Sequence, residues 1–127
     1  MNTAPLSIRP EVADALAGKR PVVALESTLI AHGLPWPINL ETALEAEQAI
    51  RQEGATPATI AVLAGVPTVG LNEAELGELA ERKDVLKASR RDLGAVVALR
   101  MTAATTVAAT MVLAHRAGIR VFATGGI

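Results

Sequence analysis

The sequence predicts an α/β protein built on a mainly parallel sheet with helices on both faces, an α/β/α layering, in one domain that residues 1–127 leave incomplete. Three observations carry this. Short apolar runs bounded by polar or turn residues, such as residues 22–25 and 59–63, have the length and continuity of buried strands. Between them lie longer stretches with apolar residues at helical spacing and glycine near their ends. The two alternate along the chain, as a parallel sheet with crossover helices requires.

Taken in order, Pro10 suits the first turn of a short helix over residues 10–16, and Gly18 is placed to end it. Val22, Val23, Ala24 and Leu25 form a buried strand that delivers Glu26 at its C-terminal end. Gly33, Pro35 and Pro37 around Trp36 are loop chemistry, after which Asn39 caps a helix running to Glu53. In that helix Leu40, Ala43, Leu44 and Ile50 lie near one face, Glu47 and Arg51 are spaced to pair, and Gly54 supplies a left-handed stop. Residues 59–63 read as a second buried strand. Asn72 and Glu75 resemble a capping box for a short helix through Ala80, weakened by Gly77. Residues 85–88 form a short strand, and Ser89 with Asp92 marks a further helix start. An alanine-rich helix over residues 105–117 carries Val107, Met111 and Ala114 on one face before Gly118, and residues 119–123 close the series as a third strong strand.

Ligands in such sheets gather at the carboxyl ends of the strands, here Glu26, Gly65, Lys87 and Thr124. The sequence closes on Gly125, Gly126 and Ile127, and a glycine pair after a strand ordinarily opens a loop toward a helix or a phosphate. This gives the expectation of a domain truncated at its C-terminus.

Composition excludes several classes. Twelve basic and thirteen acidic residues, mixed along the chain, give a net charge of -1 and no field to hold a nucleic-acid polymer. Trp36 and Phe122 are the only aromatic residues, too few for a base-stacking platform. The absence of cysteine removes disulfides, thiolate catalysis and cysteine-ligated zinc. Residues 1–10 have neither a basic nor an apolar leader region, and the longest apolar-rich stretch, residues 101–114, falls short of the roughly 20 residues a bilayer span needs. The expected setting is the cytoplasm, with a small molecule as partner and neither membrane nor nucleic acid.

Candidate chemistry centres on Glu26, a carboxylate directly after a buried strand, where desolvation favours the proton-donating acid; a strand-end carboxylate that merely accepts loop amides is the equal alternative. Lys87 follows a short strand and suits a phosphate or a carbonyl-derived group, against the commoner reading of a solvated lysine. Ser89, Arg90, Arg91 and Asp92 join a helix start to two guanidinium groups. His32 suits acid–base work, while no metal-ligand spacing links it to His115. Thr105 and Thr106 read as caps before they read as phosphate ligands. Neither a dinucleotide fingerprint, a Walker A loop nor a nucleophile elbow occurs.

The run from Pro21 to Thr28 with His32 and Gly33, the run from Gly54 to Ala61, Lys87 to Leu93, Ala104 to Ala108, and Val121 to Ile127 together resemble pseudouridine-5'-phosphate glycosidases, also called indigoidine synthase A-like proteins. The resemblance covers the chain from Pro10 onward and implies an α/β/α homotrimer that uses a divalent cation such as manganese. The implied reaction breaks the C–C bond of pseudouridine 5'-phosphate to give uracil and ribose 5-phosphate. It further implies a lysine nucleophile, an imine-linked ring-opened intermediate and an acidic glutamate, which Glu26 matches; Lys87 and Val107 match substrate-contacting positions. The implied nucleophile and the metal-binding aspartate fall in segments beyond Gly126. The chain departs from the family at Leu99, Arg100, Met101, Thr102 and Ala103, where glycine-containing stretches are usual.

Three expectations follow. A glycosidase requires Glu26 and Lys87 to converge on one pocket with Val107 nearby, the fragment by itself being inactive. A phosphate- or nucleotide-binding domain without catalysis is the second reading, and a remnant that only assembles with intact copies is the third.

Overall fold

The computed structural model describes residues 5–126, so the leader reading of residues 1–4 and the final Ile127 of the closing run lie outside the described residues. Seven strands and five helices alternate: β1 (Ser7–Ile8), α1 (Pro10–Ala17), β2 (Val22–Leu25), α2 (Ile38–Gln52), β3 (Thr56–Leu63), β4 (Val66–Val69), α3 (Glu73–Glu81), β5 (Leu86–Ala88), α4 (Leu93–Ala98), β6 (Ala103–Thr105), α5 (Val107–Ala117) and β7 (Val121–Ala123). The strands form one sheet in the order β1-β4-β3-β2-β7, with β6 pairing along β3 and β5 pairing with β6. Pairings β1·β4, β2·β3, β2·β7 and β5·β6 are parallel. Only β4 and β6 run antiparallel to β3.

Alternation along β3 explains the layering. Ala58, Ile60 and Val62 face a core that includes Val12 and Ala15 of α1 and Leu113 and Ala114 of α5. Ala61 faces the opposite side, where Ala43 of α2 and Leu76, Leu79 and Ala80 of α3 close a second core. Helices thus cover both faces of a mostly parallel sheet.

Several local expectations are corrected. Gly65 does not stand at the ligand-binding mouth: Ala64 (φ 47°) and Gly65 (φ 80°) form the tight turn of a β3–β4 hairpin that the sequence reading missed. Positive φ at both positions matches the twist of the strands, and an alanine there gives no turn signal. The Gly65 N–H donates to the Met101 carbonyl at 2.9 Å. Arg100 itself sits at φ 53°, a left-handed position that favours glycine.

Asn39 does not cap α2. It is buried in the first turn, its Nδ2 donating to the Ile30 and Ala80 carbonyls at 2.7 and 2.9 Å, so it ties α2 to the loop before it and to α3. Arg51 passes over Glu47 and forks onto Glu11 of α1 at 2.5 and 3.0 Å. α5 starts at Val107, since Thr105 belongs to β6, and its buried side chains are Ala109, Thr110, Leu113 and Ala114, while Met111 of the expected face is 55% exposed. The capping boxes at Asn72/Glu75 and Ser89/Asp92 both form.

Candidate active site

β2 and β7 are parallel neighbours, with Leu25 opposite Ala123, so Glu26 and Thr124 emerge side by side at the same end of the sheet. The chain then turns sharply after β2 through a π-helical turn, Leu29–Gly33. β5 enters from the other side with Lys87 at its middle. A cleft of about 490 Å³ between these segments is lined by Glu26, Thr28, Leu29, His32, Gly33, Lys87, Gly125 and Gly126. A smaller and more apolar cavity of about 280 Å³ adjoins it under α2, sharing Glu26, Leu29 and Gly125 and reaching Ala43, Ala46 and Thr59.

Glu26 is held by both oxygens. Thr28 Oγ1 donates to Oε2 at 3.0 Å and Thr124 Oγ1 donates to Oε1 at 2.5 Å, so one hydroxyl from its own loop and one from β7 fix the plane of the carboxyl group. Lys87 and His32 are exposed to the cleft, and among the described residues neither makes an ion pair or a hydrogen bond. Lys87 and His32, without such partners, share this lining with three glycine residues and the oriented carboxyl, which leaves donors free for an anionic group.

Val107 lines neither cavity. It is half-buried at the first position of α5, two residues beyond Thr105, which is hydrogen-bonded to Ser27 next to Glu26. Thr106 caps α5, accepting from the Ala109 N–H at 3.3 Å, whereas Thr105 is buried in the sheet. Arg90 and Arg91 are exposed on a single 3-10 turn outside the cleft lining, and His115 is exposed in the last turn of α5.

Sequence reasoning passed over Ser27, Thr28 and Thr59. A serine after an apolar run reads as loop, and only the sheet register reveals that Ser27 is fully buried, bridging β3 and β6. Thr59 of β3 donates its hydroxyl to the buried Glu47 at 2.6 Å and also lines the apolar cavity. Burial raises the Glu47 carboxyl above its ordinary value of 4.5, against the bond from Thr59 and the charges of Arg51 and Arg9.

Glu26 is the only carboxylate lining the cleft among the described residues, and no group of three or more histidine, aspartate or glutamate side chains gathers there to share a divalent cation, whose aspartate ligand the resemblance implies lies outside this chain. No helix among the described residues is long and apolar enough to cross a membrane.

Residues 11–127 match the family described as indigoidine synthase A like protein. The chain is 61% identical over 122 residues to a pseudouridine-5'-phosphate glycosidase of Solibacter usitatus, covering 96% of this chain and 41% of that protein. Against the Escherichia coli pseudouridine-5'-phosphate glycosidase the identity is 58% over 123 residues, with 96% and 39% covered. Among solved structures, the prealnumycin C-glycosynthase AlnA in complex with ribulose 5-phosphate superposes with a TM-score of 0.87 at 45% identity, over 99% of this chain and 40% of that one. An indigoidine synthase A-like protein from Thermotoga maritima gives 0.86 at 35% identity, over 99% and 41%. The chain therefore spans about 40% of the length of these relatives. On sequence and fold alike, it belongs to the indigoidine synthase A-like family.

Proposed function

We propose that this chain supplies the acid-bearing part of a C–C glycosidase site for pseudouridine 5'-phosphate. The observation that carries the reading is that Glu26, directly after β2, and Lys87, at the middle of β5, line one cleft. Relatives named for this activity, and a related C-glycosynthase structure holding a sugar phosphate, support it.

In the net reaction the bond between uracil C5 and ribose C1' breaks, C5 takes up a proton and C1' acquires the hydroxyl of water. Glu26, oriented by Thr28 and Thr124, serves as the proton donor as the sugar ring opens. Lys87 holds the anionic end of the substrate, while Val107, which the resemblance implies as a substrate contact, stands at the first position of α5 outside the cleft lining. Nothing in this proposal is routed through manganese, for which the described residues offer no cage. The covalent route needs a nucleophilic amine, and the lysines of this sequence are Lys19, Lys83 and Lys87, of which only Lys87 lines the cleft. The activity is thus assigned to a protein of the relatives' length, a cytoplasmic homotrimer, and the isolated chain is proposed to be inactive.

The test is a hybrid in which these residues replace the matching segment of the Escherichia coli relative. Uracil release by the hybrid, its loss in Glu26→Gln, and none from the isolated chain are the expected results. Uracil release undiminished in Glu26→Gln would remove Glu26 as the acid. Release by the isolated chain would refute the assignment to the longer protein.

A further inference from the structure

We propose that Ser27 is the positioning residue that locks the Glu26 end of β2 to the segment carrying Val107. The inference deepens the glycosidase reading and rests on Glu26 and Val107 being site residues.

The reason lies in a gap in the sheet. β2 pairs with β3 only as far as Leu25 opposite Thr59, and β6 takes up the same edge at Ala104 opposite Ala61. Ile60 falls between the two registers and is fully buried. Two hydroxyls fill the gap: Ser27 Oγ donates to the Ile60 oxygen at 2.6 Å and Thr105 Oγ1 donates to it at 2.8 Å.

Ser27 then does what a continued strand would do. Its Oγ accepts the Thr105 N–H at 2.8 Å, in the place of a backbone carbonyl, and its own N–H donates to the Thr105 carbonyl at 3.3 Å. Each hydroxyl has one hydrogen to give, so the committed bonds to Ile60 leave Thr105 Oγ1 to accept from Thr110, 2.8 Å away. Ser27, Thr105 and Thr110 are all fully buried, so water does not substitute for any of these bonds. Because the side chain closes the ladder, the backbone at Ser27 is free to turn into the Leu29–Gly33 loop that walls the cleft.

Glu26 is the residue before Ser27 and Val107 lies two after Thr105, so this reciprocal pair sets the relative position of the two sides. An alanine at position 27 leaves the Thr105 N–H buried without an acceptor. Thr110 belongs to the same buried knot, yet its hydroxyl bonds only to Thr105 among the described residues, which makes it the control for plain loss of stability.

The experiment compares wild type, Ser27→Ala, Ser27→Cys and Thr110→Val as 15N-labelled full chains, by amide relaxation dispersion and by titration with ribose 5-phosphate. The two Ser27 variants are expected to show coupled exchange broadening at Glu26, Thr28 and residues 105–107, and about a tenfold weaker Kd, the effect of roughly one lost hydrogen bond's worth of ordering. Ser27→Cys, nearly isosteric, carries the test if Ser27→Ala does not fold. Thr110→Val is expected to lower the melting temperature while leaving Glu26 and Thr28 sharp. If the Ser27 variants leave residues 26 and 105–107 as sharp as Thr110→Val leaves Glu26 and Thr28, the positioning role is overturned. Failure of wild type to bind ribose 5-phosphate, with the coupled broadening present, counts against the glycosidase reading and in favour of the lock.

Discussion

Replacing Glu47 separates what its charge does from what its oxygen does. The carboxyl is buried under α2 and accepts the hydroxyl of Thr59, itself 1% exposed, at 2.6 Å. Glu47→Ala leaves that hydroxyl buried and unpaired, costing about 1–3 kcal/mol, and removes a buried methylene worth about 0.8 kcal/mol. The expected loss is about 3 kcal/mol, a fall of roughly 12 °C in melting temperature for a domain of this size. Glu47→Gln keeps an acceptor for Thr59 and is expected to stay within about 1 kcal/mol of wild type. The charge shows in the pH dependence. Burial holds the folded-state value above 4.5, so the folded protein binds the proton more tightly than the unfolded chain. Stability is then greatest below the unfolded value, falls as pH rises through the folded value and levels off above it. Thermal melts across this range are expected to show that fall in wild type and not in Glu47→Gln. An unchanged fall in Glu47→Gln, or a loss below about 1 kcal/mol in Glu47→Ala, would refute the reasoning.

Two further outcomes are expected. The Arg51 hydrogen bond, with the Arg51 and Arg9 charges, lowers the Glu11 carboxyl, so its contribution has the opposite sign, present above 4.5 and lost as pH falls through the folded value; both partners are over a third exposed, and Glu11→Gln is expected to cost under about 1 kcal/mol, shrinking in high salt. Gly65→Ala forces a Cβ to 2.6 Å from the Arg100 Cα at φ 80° and is expected to cost about 3 kcal/mol, whereas Gly54→Ala, at φ 83° with nothing within 4 Å, pays only the left-handed strain of about 1 kcal/mol; urea denaturation of the pair distinguishes steric from conformational cost.

The strands read most clearly from sequence were those buried on both faces, because an unbroken apolar run has one solution: β2 and the second half of β3 stand where residues 22–25 and 59–63 place them. Local side-chain chemistry was also legible, as the capping boxes at Asn72 and Ser89 show. What escaped depends on partners far along the chain. β4 and β6 are short and carry Pro67 or threonine, and they exist because β3 extends past β2 and offers both edges. Asn39 carries a capping signature, but the carbonyls of Ile30 and Ala80 make better use of its amide. The face of α5 was misassigned: Ala109, Thr110 and Leu113 turn inward with Ala114, so the buried face is rotated by about a quarter turn from the one through Val107 and Met111. At the site, Glu26 was legible as the residue after β2, and Lys87 as part of a short strand although it sits at the middle of β5 and not at its end, while the hydroxyls that hold Glu26 and tie its strand down were not legible, since Thr124 and Thr105 lie 98 and 78 residues from their partners Glu26 and Ser27.

The most direct test is a titration of the 15N-labelled chain with pseudouridine 5'-phosphate, read at every backbone amide. Saturable shifts confined to Glu26, Thr28, His32, Lys87, Gly125 and Gly126, abolished by Lys87→Met, are the expected result. Shifts that do not saturate, or that gather at the separate cavity beside Arg51 and Glu73, would contradict the assignment of this cleft as the substrate site.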